Sequence, residues 1–324
     1  MMMFRHPENA TPIDDLSDLK LPWVKVQEDL NIVEAENISI AISKHLSNSV
    51  NLPPGWFNIS TLKKIHRDML SDVWEWAGMF RKTQTSIGVK PYQISGALES
   101  LCSEVQYWCS EACELTLVEQ AARVHHQLVL IHPFLNGNGR FSRLVSDRYL
   151  KAWKCPFPIW PTEMNRDGSC RKCYIASLKE ADAGDHEALV QYMIRYGAKD
   201  PELSQLLGHT FFRQNFKGKR MVSLVKAYIR RGHHNNEEES GHQPLNIALR
   251  HGLSEVALLL ITNGANFKRK DHSGLNGFEW ALTKEFYDLA HEMVRRGYPY
   301  TPRQPNPQLK VPDRNLYRFD SSYC

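Results

Sequence analysis

Apolar residues recur along most of this chain at the three- and four-residue spacing of helices. In the stretch from Leu21 to Ser47 the positions are Val33, Ala35, Ile38, Ile40, Ala41 and Ile42. From Ser60 to Gly78 they are Leu62, Ile65, Met69, Val73 and Trp76, with Ser60 as the cap. Helices are predicted again over Leu98 to Cys113 and over Thr116 to Ile131, where Thr116 and Glu119 form a capping box. Another begins after Gly139, with Leu144, Val145, Tyr149 and Leu150 in register, and a last one spans Tyr174 to Tyr196. One segment departs from the pattern. Phe80 to Ile87 is rich in Thr, Gly88 is a turn residue, and Val89 to Ile94 could return as a second strand of an exposed hairpin. Residues 1–20 are polar and aperiodic and read as a loose arm, and residues 301–324, with four prolines, as an extended tail.

A longer period overlays the C-terminal third. Gly241 and Gly274 are 33 residues apart, as are Ala248 and Ala281, and Gly232, Gly264 and Gly297 follow at 32 and 33. The run Gln243-Pro244-Leu245-Asn246-Ile247-Ala248-Leu249, with Val256 to Leu260 and Asn263-Gly264-Ala265 behind it, resembles one ankyrin repeat. A second copy from Gly274 to Gly297 is degenerate, and Val222 to Gly232 is legible as the latter half of another. Such units bury their faces only by stacking, and their concave side would be a surface for a protein partner.

Composition narrows the class. At 324 residues, 42% hydrophobic and 23% charged, the chain has room for two soluble domains. A net charge of +4 is too small to argue for nucleic acid or a membrane surface, and no apolar run suits a membrane span. The N-terminus carries no secretory signal, so a cytoplasmic protein is expected, although export into another cell by a specialised system needs no such signal. Seven cysteines fit a reducing compartment. The pairs Cys109/Cys113 and Cys170/Cys173 raise zinc, but small buried side chains explain them better, and His125 and His126 read as core groups.

The chemistry concentrates in His132-Pro133-Phe134-Leu135-Asn136-Gly137-Asn138-Gly139-Arg140-Phe141-Ser142-Arg143. Pro133 stops the helix that delivers His132. The glycine-bearing turn then opens a new helix, whose first amides lack internal partners and whose dipole end is positive. Phosphate is the usual guest at such a place. Arg140 and Arg143, three apart, could grip a polyphosphate by charge-assisted forks, with His132 beside it as a base.

These twelve residues closely resemble the signature of the Fic family, His-x-Phe-x-acid-Gly-Asn-Gly-Arg-x-x-Arg, with Asn136 at the acidic position. The resemblance extends from about Val33 to Tyr196, including Ile65-His66-Arg67 and the run from Val73 to Gly78. It implies an all-α fold, a Fic helical core with a β-hairpin flap, here over 79–95, where Thr83, Gln84, Thr85 and Ser86 would dock the target's main chain. The expected organisation is an arm at 1–20, a Fic domain at 21–198, ankyrin-like repeats at 199–300 and the tail at 301–324. The implied activity is protein adenylyl transfer, moving AMP from ATP to a Ser, Thr or Tyr hydroxyl. In that scheme His132 is the base. Gly137, Asn138 and Gly139 hold the α-phosphate, Arg140 and Arg143 hold the β- and γ-phosphates, and Asp182, or less directly Tyr174, meets the nucleotide base. Mg²⁺ would bridge the phosphates beside Asn136, whose neutral carbonyl should bind it less tightly than a carboxylate. Many Fic proteins also carry an inhibitory helix ending in Glu-Gly/Asn. Here Glu36-Asn37, on a helix expected at 28–47, matches that ending although Ile32 stands at the Ser/Thr position. Glu36 would then pair with Arg143. Two other readings remain open: phosphocholine transfer from CDP-choline, and a nucleotide-binding adaptor that works through the repeat surface.

Overall fold

The structure is a computed structural model describing residues 16–46, 50–110, 113–161, 168–200, 202–215, 217–230 and 243–299. It divides into two compact units, Met1–Glu111 with Leu115–Asp200, and Ala112–Glu114 with Pro201–Cys324. The first unit contains α1 (Gln27–Leu46), α2 (Ile59–Leu70), α3 (Ile94–Ser110), α4 (Leu117–Ile131), α5 (Asn138–Ala152), α6 (Ser169–Asp182) and α7 (Glu187–Arg195). The second contains α8 (Leu203–Gly208), α9 (Thr210–Asn215), α10 (Gly218–Arg230), α11 (Pro244–Arg250), α12 (Ser254–Thr262), α13 (Gly277–Thr283) and α14 (Tyr287–Arg295).

The first unit is organised around α4 and α5, which pack along one another. The Thr116 side chain accepts from the Glu119 amide while Glu119 accepts from the Thr116 amide, so α4 opens with its donors satisfied. Leu117, Val118, Ala121, Ala122, Val124, Leu128 and Ile131 are buried along it, and Phe141, Leu144, Val145, Tyr149 and Leu150 along α5. Each fully buried large aliphatic stabilises by roughly 1.5–3 kcal/mol, so this pair carries much of the unit's core.

Helix α1 is built differently. Its buried face is Leu30, Glu34, Asn37, Ala41 and His45, while Ile32 and Ile40 stand 57% and 64% exposed. The apolar positions in the sequence therefore do not mark the docked side; polar partners do. Asn37 donates to Asp72 at 3.1 Å, His45 Nε2 lies 3.0 Å from Asp68, and Arg148 Nη1 donates to the His45 carbonyl at 3.1 Å.

Three further expectations change. The helix from Ser60 is capped by Asn58, whose side chain accepts from Thr61, and it stops at Leu70 rather than Gly78. Beyond it the main chain pairs with the N-terminal segment, Lys20 N–H to the Val73 carbonyl (2.9 Å) and Glu75 N–H to the Asp18 carbonyl (3.0 Å). Residues 18–20 of the expected arm are thus tied down, and its first fifteen residues lie outside the described set. The stretch from Tyr174 to Tyr196 is two helices, because Gly184 turns the chain at φ +96° and Asp185 accepts from the Glu187 amide. Finally, no hairpin forms across 79–95. Among the described residues there are only isolated bridges, one of them joining Phe80 to Phe134 in the signature loop. The return strand fails because Pro91 has no amide to pair, and residues 91–93 form a 3-10 turn leading into α3.

In the second unit, α11 and α13 begin 33 residues apart, as do α12 and α14. The residue before α12, Leu253, and the one before α14, Phe286, share φ −86° with ψ near 65°. Gly264 and Gly297 close the two pairs at φ +90° and +91°. The 33-residue period is therefore a repeated helix pair. The tail at 301–324 lies outside the described residues.

Because α1 buries little apolar surface, its amides should exchange with solvent well before those of α4 and α5 in native-state hydrogen exchange. Equal protection across the three helices would contradict this.

Candidate functional site

The site grows out of the break between α4 and α5. The residue before a proline is disfavoured in the α region, and His132 leaves the helix with φ 51° and ψ 59°, still donating to the Leu128 carbonyl at 3.2 Å. A left-handed conformation costs a non-glycine residue roughly 1–2 kcal/mol, so packing must hold it. Phe134 supplies that packing. It is fully buried, stacks on His66 at 3.6 Å and 9°, and meets Phe141 edge-on at 5.0 Å. Gly137 caps α5 at φ +79°, where a Cβ would come within 2.9 Å of Leu70.

Two buried side chains fix the loop's shape. Asn138 donates to the Phe134 carbonyl at 2.8 Å and accepts from the Phe134 amide at 2.9 Å. Its side chain is therefore a staple inside the loop, bonded to Phe134 and not standing free for the phosphate-holding role expected of it. The positions left for an anion are the first-turn amides of α5 at 138–140, which have no acceptor within a helix. His66 is the second device, and its role was not assigned from the sequence. Its Nδ1 accepts from the Gly78 amide (3.0 Å), so Nε2 carries the proton and donates to the Asn136 carbonyl (2.9 Å). Burial pushes His66 down to about 3, which keeps this donor–acceptor pattern intact.

His132 itself is buried, and burial lowers its pKa to about 4, with the nearby Arg81 cation adding to the effect. It is neutral at pH 7 and able to accept a proton. Arg140 points to α1: its Nη1 meets Glu34 Oε2 at 2.8 Å. The other Glu34 oxygen accepts from Trp74 Nε1 at 2.8 Å, and Trp74 is fully buried and stacked on Trp76. Glu36, two residues on, is exposed. The pairing expected for Glu36 with Arg143 is thus replaced by Glu34 with Arg140, because Glu34 shares the docked face of α1 with Asn37 and Ala41.

Arg143 faces the other way. Its guanidinium lies 5.9 Å from the Trp160 ring and close to Tyr174, whose hydroxyl meets His125 Nε2 at 2.8 Å. Trp160 Nε1 sits 3.0 Å from both Asp147 oxygens, and burial pushes that carboxyl up to about 8. Asp182, at the end of α6, pairs with His126 Nε2 at 2.9 Å, and His126 Nδ1 lies 3.2 Å from His186 Nε2. Thr83, Gln84 and Ser86 are exposed in the segment beside the loop and Thr85 is half-buried. The Thr85 hydroxyl donates to the Ile87 carbonyl and Gln84 to the Gly88 carbonyl, taking acceptors a return strand would have used.

Residues 56–150 match the Fic/DOC family. A protein adenylyltransferase fic-1 from Caenorhabditis elegans is 33% identical over 144 residues, which is 43% of this chain and 27% of that protein. A protein adenylyltransferase Fic from Drosophila grimshawi is 32% identical over 138 residues, 42% of this chain and 27% of that one. The chain thus spans about a quarter of the length of the curated relatives it matches. Among solved structures, Fic-1 (residues 134–508) from C. elegans is similar at 26% identity and a TM-score of 0.41, covering 54% of this chain and 50% of that chain. BepC with bound AMPPNP from Bartonella tribocorum is similar at 18% identity and a TM-score of 0.45, covering 60% and 99%. The matched Fic segment contains His66, Arg81, His132 and both arginines, and it begins after α1.

A divalent metal finds little here. Asn136 is neutral, its side-chain oxygen accepts from the Gly137 amide, and among the described residues no cluster of three or more His, Cys, Asp or Glu could hold an ion. A resident Mg²⁺ does not fit these donors.

His66, His125 and His132 are held down to about 3, 3 and 4 from the ordinary 6.5, chiefly by burial. Between those values and 6.5 the unfolded chain binds more protons at these three rings than the folded one, so their contribution is full above about pH 6.5 and falls as the pH drops. The raised carboxyl of Asp147, which works in the opposite direction, offsets this only in part. Thermal melts should show a midpoint that declines from pH 7 to pH 5. A flat profile over that range would contradict the buried, neutral state of these rings.

Proposed function

We propose that this protein is an adenylyltransferase that moves AMP from ATP to a hydroxyl side chain of another protein, and that α1 holds it in a restrained state. The observation that carries the reading is the juxtaposition of a neutral, left-handed His132 with the free-amide end of α5 and Arg140. In the reaction the target oxygen attacks the α-phosphorus and its proton passes to His132. The bond from that phosphorus to the bridging oxygen breaks, and pyrophosphate leaves. The first-turn amides of α5 would take the α-phosphate charge and Arg140 the charge of the leaving group, which Arg143 would join only by swinging away from Trp160 and Tyr174. His132 at about 4 is a weak base in the unliganded protein. An entering triphosphate favours the imidazolium and would raise it toward the working pH.

Restraint comes from Glu34. Its carboxylate occupies the Arg140 fork that a phosphate would need, and Trp74 anchors it from behind. The polar character of the α1 face favours a docked helix that can release. Asp182, paired with His126, keeps its place as the residue beside the nucleotide base. The segment 83–86, in which Thr83, Gln84 and Ser86 are exposed residues, is the target-docking segment. The repeated helix pairs of the second unit are read as ankyrin-like, with a protein partner on their surface.

Four results test this. His132→Ala should abolish label transfer from ATP to lysate proteins. Glu34→Gly should raise transfer about tenfold or more by freeing Arg140, although losing a buried, bonded carboxylate costs about 1–3 kcal/mol of stability. The intact mass of a modified acceptor should show AMP; a phosphocholine adduct from CDP-choline would overturn the donor. Asn136→Asp should tighten nucleotide binding in Mg²⁺ relative to EDTA by calorimetry, and an unchanged ratio would remove position 136 from the metal's surroundings.

A further inference from the structure

Arg81 belongs to none of the signature positions, yet among the described residues no other side chain is tied by hydrogen bonds to as much of the site. It is 4% exposed and has no carboxylate partner among the described ion pairs. Its donors go to carbonyls instead. Nε donates to the His132 carbonyl at 2.6 Å, and Nη1 to that of Thr83 at 2.9 Å. Nη2 donates to Val89 and, at 3.5 Å, to Ile131. Two of these acceptors, at 131 and 132, are end carbonyls of α4, where the helix leaves acceptors unmatched and its dipole favours a cation. The other two are the two ends of the segment that runs past the loop. The main chain repeats the link, with Arg81 N–H to the Pro133 carbonyl (3.0 Å) and Val89 N–H to the Ile131 carbonyl (3.4 Å). Gly88 closes the arrangement. At φ +105° it lies so near that a Cβ would be 2.6 Å from the His132 Cβ and 2.7 Å from Arg81 Nη2.

We infer that Arg81 is a positioning residue that holds His132 in its left-handed geometry and couples it to the 83–89 segment. The inference rests on the proposed role of His132 as the base. A planar fork with five donors can satisfy four carbonyls from two separate strips of chain, and an ammonium of the same charge cannot. The carbonyls orient Arg81, Arg81 fixes the backbone of His132, and Gly88 leaves no room for the imidazole stem to shift. Misplacement of a reacting group by about 1 Å can cost roughly a hundredfold in rate, so the hold matters to chemistry as well as to folding.

The test is Arg81→Lys, which keeps the charge and loses the fork. In wild type and variant, the ring resonances of His132 would be titrated by NMR, assigned against His132→Ala, and transfer kinetics measured across pH. The expected result is a His132 midpoint raised by about one unit as its burial loosens. It should come with a kcat lowered about a hundredfold, an altered acid limb of the pH profile, and a KM for ATP within about twofold. A folded Arg81→Lys protein with the parent's titration and kcat overturns the inference. Should that variant fail to fold, Gly88→Ala tests the same contact from the outer side. It should likewise lower kcat and move the His132 midpoint, and parental values there also overturn it. If His132→Ala still transfers AMP, the base role proposed for His132 fails instead, while the titration continues to report whether Arg81 holds the ring.

Discussion

A helix that reaches Pro133 has to end, and everything at the site follows from how this chain ends it. The turn is short, since α5 begins at Asn138, and both of its hinges, His132 and Gly137, are left-handed. Short loops with strained hinges persist only when packing over-determines them. Here the over-determination comes from Phe134, stacked on His66 and edge-on to Phe141, and from Asn138, which bonds both backbone groups of Phe134. The residues with the most obvious polar chemistry are thus divided in purpose. Some build the cradle, and the backbone amides they expose would do the holding.

Charge is distributed by the same logic. Two arginines three apart on α5 diverge: Arg140 is neutralised by Glu34, and Arg143 is sheltered among Trp160, Tyr174 and Asp147. A buried ion pair gains from the low dielectric what it loses in desolvation, so its net worth is small, but either partner alone is expensive. A polyanion arriving at the α5 N-terminus could replace the Glu34 carboxylate at little cost, because it supplies the charge that Arg140 would otherwise lack. Dynamics then enters through α1. With Leu30 and Ala41 as its buried apolar side chains, that helix is held by polar contacts that water can substitute.

The second unit shows a different economy. Its helix pairs repeat at 33 residues with the same turn conformations, and α11 packs against α13 as α12 does against α14. The two copies are not chemically equal. Asn276 and Glu279 cap α13 reciprocally, whereas α11 opens on Pro244 with no side-chain cap bond from Gln243. The backbone period outlasts the sequence period because glycines and helix lengths, more than particular side chains, set it.

Local chemistry was legible in the sequence wherever it needed only neighbours along the chain. Pro133 as a stop, the Thr116–Glu119 box, a new helix close behind the glycine turn (expected after Gly139, found from Asn138) and the apolar faces of α4 and α5 follow from residues a few positions apart, and the 33-residue period from repetition along the chain. What only the tertiary structure decided involves partners far away. Glu34 and Glu36 lie on one helix with identical side chains, and the approach of Trp74 and Arg140, 40 and 106 residues distant, singles out the first. The face of α1 is hidden from the sequence because its exposed isoleucines imitate a core, while its real contacts are polar and non-local. The hairpin expected near Gly88 gave way to an arginine reaching fifty residues along the chain to Ile131 and fifty-one to His132. Periodicity records which side chains avoid water, but a hydrogen bond between distant residues leaves no period behind.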